Sequence, residues 1–162
     1  MVFKEIHFSD IKRITLPKNL IAIKWYDQMN SGSVFRLPGG VKLLLRWMEE
    51  KDISDVVGME QEIFPSPWSR ESFLFRLGER NFNVSIVAEI DNQLVGYTVS
   101  YIFHDEMHVS NLAVTKDYRR NQIGELLLWV SLQTGIELNC LLVHLEVRKS
   151  NQAAIRLYKK DG

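Results

Sequence analysis

Apolar residues at Ile123, Leu126, Leu127 and Val130 repeat at i, i+3, i+4 and i+7, the spacing that buries one face of a helix. Before that helix stands a short apolar stretch, Asn111-Leu112-Ala113-Val114. After Gly135 comes a longer one, Cys140-Leu141-Leu142-Val143-His144-Leu145-Glu146-Val147, which reads as a strand covered on both faces with Cys140 at its head. Strand, helix, strand at these lengths is a crossover unit, so the two strands are expected to be parallel and the crossover right-handed.

The upstream pattern is different. Residues 41–47 suit a first strand, and Asp52 is placed to cap a helix that keeps Ile53, Val56, Val57, Ile63 and Phe64 on one face. Pro65 and Pro67 break that helix, because each lacks an N–H and restrains the residue before it. Ser69 suits the N-cap of a second helix carrying Phe73, Leu74 and Leu77. Phe82, Val84, Ile86 and Ala88 alternate as a strand, and Asp91-Asn92 turns it back into 94–103 as a hairpin. His104-Asp105-Glu106 turns again into 107–114. The class is therefore α/β with a mixed sheet: antiparallel strands first, then a parallel strand–helix–strand unit. Residues 1–40 lack a sustained pattern and end in Leu37-Pro38-Gly39-Gly40, which reads as a linker. They are expected to form a partly ordered arm, with a docking strand or helix as the alternative, ahead of a domain at 41–162.

Composition narrows the functions. At 162 residues the chain is one domain with room for a sizeable core. Twenty basic and twenty acidic side chains cancel, which argues against nucleic acid or an acidic membrane as the main partner. No apolar run reaches the length of a membrane span. The single cysteine, Cys140, excludes an intrachain disulfide and reads as a core residue; a reducing, cytoplasmic setting is expected. His104 and His108 straddle a turn and a strand with no cysteine or carboxylate cluster at ligand spacing. The histidines are expected to be structural and the chain to hold no metal.

The candidate chemistry lies around the crossover. In open α/β sheets ligands bind beyond the carboxyl ends of the strands. The loop there, Asp117-Tyr118-Arg119-Arg120-Asn121-Gln122-Ile123-Gly124, feeds a helix N-terminus with unpaired N–H groups. An anion, most simply a phosphate, fits at 120–125; the alternative is a solvated turn. Neither the glycine trio of a dinucleotide fold nor a P-loop is present. On the second strand Leu142, His144, Glu146 and Arg148 share a face. Glu146 is the one carboxylate in that apolar run, and burying it unpaired would cost free energy. It is either a general base or the ion-pair partner of Arg148 or His144. In the last helix Asn151, Ala154, Ile155 and Tyr158 lie along one side, where spacing alone would make Tyr158 an aromatic capping the core.

The segment Leu145-Glu146-Val147-Arg148-Lys149-Ser150-Asn151-Gln152-Ala153-Ala154-Ile155-Arg156-Leu157-Tyr158 resembles the C-terminal motif of the GNAT superfamily of N-acetyltransferases, and within it the RimI type, the ribosomal-protein-alanine N-acetyltransferases. Asn111-Leu112-Ala113-Val114 followed by Asp117-Tyr118-Arg119-Arg120 is similar to that family's acetyl-CoA motif, and Phe64-Pro65-Ser66-Pro67-Trp68-Ser69 to its loop between the first two helices. The resemblance covers about 41–162. It implies acetyl-CoA as co-substrate, bound by Leu112, Ala113, Val114, Arg119, Arg120, Asn121, Gln122, Ile123, Gly124, Glu125 and Asn151. It also implies Glu146 as base, Tyr158 as proton donor and a protein N-terminus as acceptor. Ala154 would leave room for the pantetheine arm, and Trp68 is either a packing anchor or a wall of the acceptor pocket. A small-molecule amine or lysine acceptor, or a non-catalytic CoA-binding module, are the alternatives.

Two departures from the family pattern matter. Its phosphate loop reads Arg/Gln-x-x-Gly-x-Gly, and here Gln122 stands at the first glycine while Gly124 keeps the second. Glycine there lets backbone approach phosphate. The family also continues into two further strands, whereas here Lys159-Lys160-Asp161-Gly162 ends the sequence, with Gly162 placed like a helix terminator. A domain lacking those strands is expected to leave the edge of 141–147 open, to self-associate and to be weakly active.

Overall fold

The chain, seen in a computed structural model that describes residues 2–7, 21–24, 32–78 and 83–160, folds around one mixed sheet. Side chains are described throughout these segments except in 21–24, in 157–160 and, apart from Glu5, in 2–7. The strands are β1 (Val2–His7), β2 (Ile21–Lys24), β3 (Ser33–Arg36), β4 (Lys42–Trp47), β5 (Ile86–Ile90), β6 (Gln93–Phe103), β7 (Glu106–Val114) and β8 (Leu142–Val147). The helices are α1 (Ile53–Ile63), α2 (Arg70–Gly78), α3 (Ile123–Glu137) and α4 (Gln152–Lys160). In space the strands run β1-β8-β7-β6-β5-β4-β3-β2. Among the described residues only β7–β8 is parallel, as a crossover through α3 requires.

Local chemistry explains most of the boundaries. Asp91 and Asn92 both take positive φ (49° and 64°), the two-residue hairpin turn that matches strand twist. Ser69 Oγ accepts the Ser72 N–H at 3.2 Å and so caps α2. Asp52 does not cap α1. Its carboxylate takes the Glu49 N–H at 2.8 Å and the two ends of Arg46 at 2.8 Å each, closing a short 3₁₀ turn, Glu50–Asp52, ahead of the helix. Burial alone would raise the Asp52 pKa, but the hydrogen bonds from Arg46 and Glu49 and the charge of Arg46 hold it below the usual carboxylate range.

The expected strand over 82–88 starts later, at Ile86, because Asn83 Oδ1 takes the Ser85 N–H at 2.9 Å and Ser85 Oγ takes the Ser100 N–H at 3.2 Å in place of ladder bonds. The helix does not stop at Gly135; it runs to Glu137. Asn139 (φ 59°) then ends it, with Cys140 N–H on Gly135 O at 2.9 Å and Asn139 N–H on Ile136 O at 3.0 Å, a Schellman closure. Cys140 therefore belongs to the helix end, not to the head of β8.

Two cores sandwich the sheet. On one face α3 packs Ile123, Leu126, Leu127 and Val130 against Ile86, Ala88, Met107, Val109, Val143 and Leu145. Gly96 permits that approach, since a Cβ there would meet Ala113 O at 3.0 Å and Leu127 Cδ1 at 3.3 Å. On the other face α1 and α2 bring Ile53, Val56, Phe64 and Phe73 onto Val87, Tyr97, Val99 and Ala113.

The described residues of 1–40 contribute β1, β2 and β3 to this sheet. Leu37-Pro38-Gly39-Gly40 is not a linker but the turn of the β3–β4 hairpin, with Gly40 N–H on Leu37 O at 3.0 Å and Gly39 at φ 89°. At the other end β1 pairs antiparallel with β8, from Val2↔Val147 to His7↔Leu142. The open edge expected along 141–147 is thus covered by the chain's own N-terminal segment. Trp25-Tyr26, Phe82 and Gly162 lie outside the described residues.

Candidate active site

The site begins with a defect in β7. Val99 pairs with Asn111 and Ser100 with Val109, so Ser110 is an extra residue and β7 bulges there. Pairing between β7 and β8 runs from Glu106↔Leu142 to Val109↔Leu145 and goes no further. Beyond the bulge the two parallel strands part. Asn151, buried at the start of α4, braces the gap: its Nδ2 donates to Leu112 O at 2.8 Å and its Oδ1 takes the Ala154 N–H at 3.1 Å.

The gap opens into a cleft of about 510 Å³. Leu112, Ala113, Val114, Arg119, Arg120, Gln122, Ile123, Gly124, Glu125 and Asn151 line it together, with Ala154, expected to leave room for the cofactor arm, and with Ile63, Tyr118, Ala153 and Arg156. Asn121 is not a lining residue; its Nδ2 donates to Tyr118 O at 3.1 Å and Arg119 O at 3.3 Å and shapes the loop from within. Arg119 Nε donates to Val114 O at 3.1 Å, tying the loop to the end of β7.

Arg120 and Gln122 both take φ 64°. Left-handed residues set among right-handed ones turn successive N–H groups toward one point, a concavity for an anion, and here it opens onto the N-terminus of α3. Gln122 thus adopts the backbone conformation that glycine supplies elsewhere, at a cost of about 1–2 kcal/mol for a residue with a Cβ. Its Oε1 is buried without a hydrogen-bond partner among the described residues. A nest of N–H groups and a floor of Ala153 and Ala154 fit a phosphate-bearing cofactor with a slender arm.

Glu146 stands outside this cleft, half-buried on the α1–α2 side of β8. Neither expected ion-pair partner holds it. Arg148 turns to Glu60, and His144 contacts Glu106 at 3.2 Å and Glu5 at 3.5 Å. The imidazole near Glu146 is that of His108, whose Nδ1 lies 4.0 Å from Glu146 Oε1 and has no hydrogen bond among the described residues. His108 is stacked between Tyr101 (4.7 Å, 3°) and His144 (4.5 Å, 15°). Burial, and then the neighbouring His144, pull the His108 pKa below its ordinary value, against the opposing pull of Glu146 and Glu106.

Glu106, His108 and His144 place ligand atoms within 4.8 Å of one another, a carboxylate–histidine group that sequence spacing missed because His144 arrives from another strand. The two rings are nearly parallel. They stack on each other, and both Nε2 atoms face Glu106 Oε2, at 3.2 Å from His144 and 3.5 Å from His108.

Behind this face lies a buried carboxylate, Glu60 of α1. It accepts from Arg148 Nη2 at 2.6 Å, Trp68 N–H at 2.9 Å, Asn111 Nδ2 at 3.0 Å and the Tyr97 hydroxyl. Burial first, and then the charge of Glu60, raise the Tyr97 pKa far above its usual value, so the phenol stays a donor. The sequence does carry a signal for Glu60: it falls on the apolar stripe of α1, four residues after Val56. Tyr158 lies within α4, and its side chain is outside the described residues. Cys140 is buried, and burial with the nearby Asp105 pushes its thiol up to about 11.

Comparison with known proteins agrees with this geometry. Residues 44–162 match the model of the acetyltransferase (GNAT) family. The ribosomal protein bS18-alanine N-acetyltransferase of Salmonella typhimurium is 33% identical over 104 residues, 64% of this chain and 69% of the relative. The crystal structure of the Escherichia coli ribosomal-protein-S18-alanine N-acetyltransferase superposes with a TM-score of 0.68 at 28% identity, covering 74% of this chain and 76% of that one. Arabidopsis thaliana Naa50, solved with the bisubstrate analogue CoA-Ac-MVNAL, shares the fold at a TM-score of 0.63 and 22% identity over 74% of this chain and 82% of its own.

Proposed function

The chain belongs to the acetyltransferase (GNAT) family, and from that premise we propose that it acetylates the α-amino group of a protein N-terminus, with an alanine-terminated ribosomal protein as the acceptor. It is an acetyl-CoA-dependent N-acetyltransferase; acetyl-CoA supplies the acetyl thioester. The observation that carries the finer reading is the parting of β7 and β8, which sets Glu146 on one side of the opening and the 120–125 nest at the other.

In this reading the N–H groups of 122–125 hold the pyrophosphate, and Ala153 and Ala154 accommodate the arm. A free α-amine has a pKa near 8, so only about a tenth to a fifth is neutral at pH 7. Glu146 takes the ammonium proton, directly or through water, and the amine attacks the thioester carbonyl. Backbone N–H groups of 112–114 receive the developing oxyanion. Tyr158, a phenol protonated at neutral pH, returns a proton to the departing thiolate. No covalent enzyme intermediate is needed. The cytoplasmic setting belongs to the same reading.

Gln122 is the one hint of a non-catalytic module, and its glycine-like backbone weakens that alternative. The test is thiol release from acetyl-CoA with short peptides differing only at residue one, beside a polyamine. Peptide turnover selective for small first residues supports the reading. Polyamine or lysine turnover alone overturns it.

A further inference from the structure

Three points of the loop between α1 and α2 are held, and all three lead to one ion pair, between fully buried Glu60 and partly buried Arg148. The Phe64 ring lies under the Arg148 guanidinium at 3.6 Å. Ser66 O accepts from Arg148 Nη1 at 3.0 Å. The Trp68 N–H donates to Glu60 Oε1 at 2.9 Å. Arg148 in turn is fixed by Glu60 at 2.6 Å and by Asn111 Oδ1 at 3.1 Å. Glu60 is fully buried, and its two oxygens are shared among four donors.

This arrangement is more than packing needs. An ion pair drawn out of water adds little stability over an apolar pair of equal volume; what Glu60 adds here is direction, through the four donors that share its oxygens. Here it locks a proline-containing loop against the end of the strand that carries Glu146, two positions before Arg148. The Trp68 ring, packed on Phe73 at 5.5 Å with Arg76 above it at 5.3 Å, is carried by the same anchor.

We propose that Glu60, acting through Arg148 and the Trp68 amide, is the positioning residue that sets the acceptor-side loop 64–68 relative to Glu146, and so sets which first residue the enzyme accepts. The proposal rests on the acceptor reading above. Glu60 touches neither substrate. Its effect falls on acceptor recognition, because the loop it holds is separate from the 120–125 nest.

The experiment compares Glu60→Gln, Glu60→Asp and Arg148→Lys with the unaltered protein. Expected in Glu60→Gln are a peptide KM raised about ten- to a hundredfold, a narrowed preference among first residues, and acetyl-CoA affinity by titration calorimetry within about twofold. Glu60→Asp keeps the charge and should recover part of the selectivity. Arg148→Lys keeps a cation but loses the fork to Ser66 and Asn111, so it should repeat the KM effect if Glu60→Gln fails to fold. Amide exchange at Trp68, which needs no activity, should speed up in Glu60→Gln while α3 stays protected. An unchanged peptide KM with unchanged Trp68 exchange overturns the proposal, as does an equal loss of acetyl-CoA affinity. If the unaltered protein acetylates no N-terminal amine, the functional reading falls, and the Trp68 exchange alone then decides the positioning claim.

Discussion

Arg148 Nη2 meets Glu60 Oε1 at 2.6 Å, and this pairing takes the cation nearest in sequence to Glu146 away from it. A base bound to a guanidinium would be a poor proton acceptor. With Arg148 committed elsewhere, no guanidinium competes for the Glu146 oxygens, as the proposed role of base requires.

Glu146→Gln should therefore lower kcat by about 10²–10⁴-fold, the usual loss for a general base. The defect should shrink at pH 9, where most of the α-amine is already neutral. Acetyl-CoA binding by calorimetry should barely change. A normal rate at pH 7 removes Glu146 from the mechanism.

Tyr158→Phe should slow turnover while leaving the thermal midpoint near that of the unaltered protein, because only a hydroxyl is lost. Collapse of stability with normal activity per folded molecule would make Tyr158 a core residue instead.

Gln122→Gly relieves a left-handed residue, so stability should rise by about 1 kcal/mol, net of the extra freedom glycine gains on unfolding. Acetyl-CoA should bind at least as tightly. A lower thermal midpoint would mean that the Gln122 side chain supports the loop.

Stability should fall with acid through His108. Its folded pKa is depressed, so the unfolded chain binds the proton more readily. The contribution is fully present above the unfolded value near 6.5 and is lost as pH drops toward the folded value. Glu106, Glu146, His144 and Glu5 face the same stack. His108→Gln should flatten the slope of denaturation free energy between pH 7 and 5; an unchanged slope refutes the assignment.

Deleting residues 2–7 should uncover β8 and promote association between copies, read by light scattering. A monomeric, equally stable deletion protein would show that β1 contributes nothing to edge protection.

Features decided within a few residues are legible in the sequence. The Asp91-Asn92 turn, the Ser69 cap and the buried face from Ile123 to Val130 each follow from local sterics and periodicity. The anion nest is half legible: Arg119, Arg120 and the helix start mark the place, but positive φ at Gln122 is a conformation its side chain disfavours. The Glu60 cluster is illegible beyond one acid on an apolar stripe, because its partners come from α2's leading loop, β6, β7 and the end of β8. The place of β1 is set by the exposed edge of β8 at the far end of the chain, and no pattern within 2–7 announces that partner.

The burial of Cys140 has a practical side. This is the chain's single thiol, 5% exposed and with its pKa pushed up to about 11 by burial, so under neutral conditions it offers almost no thiolate to an added reagent. A colorimetric thiol probe mixed with the folded protein should therefore report CoA alone, giving a turnover count free of background from the protein. Treating the protein with an alkylating agent and removing the excess before the assay should leave that count unchanged.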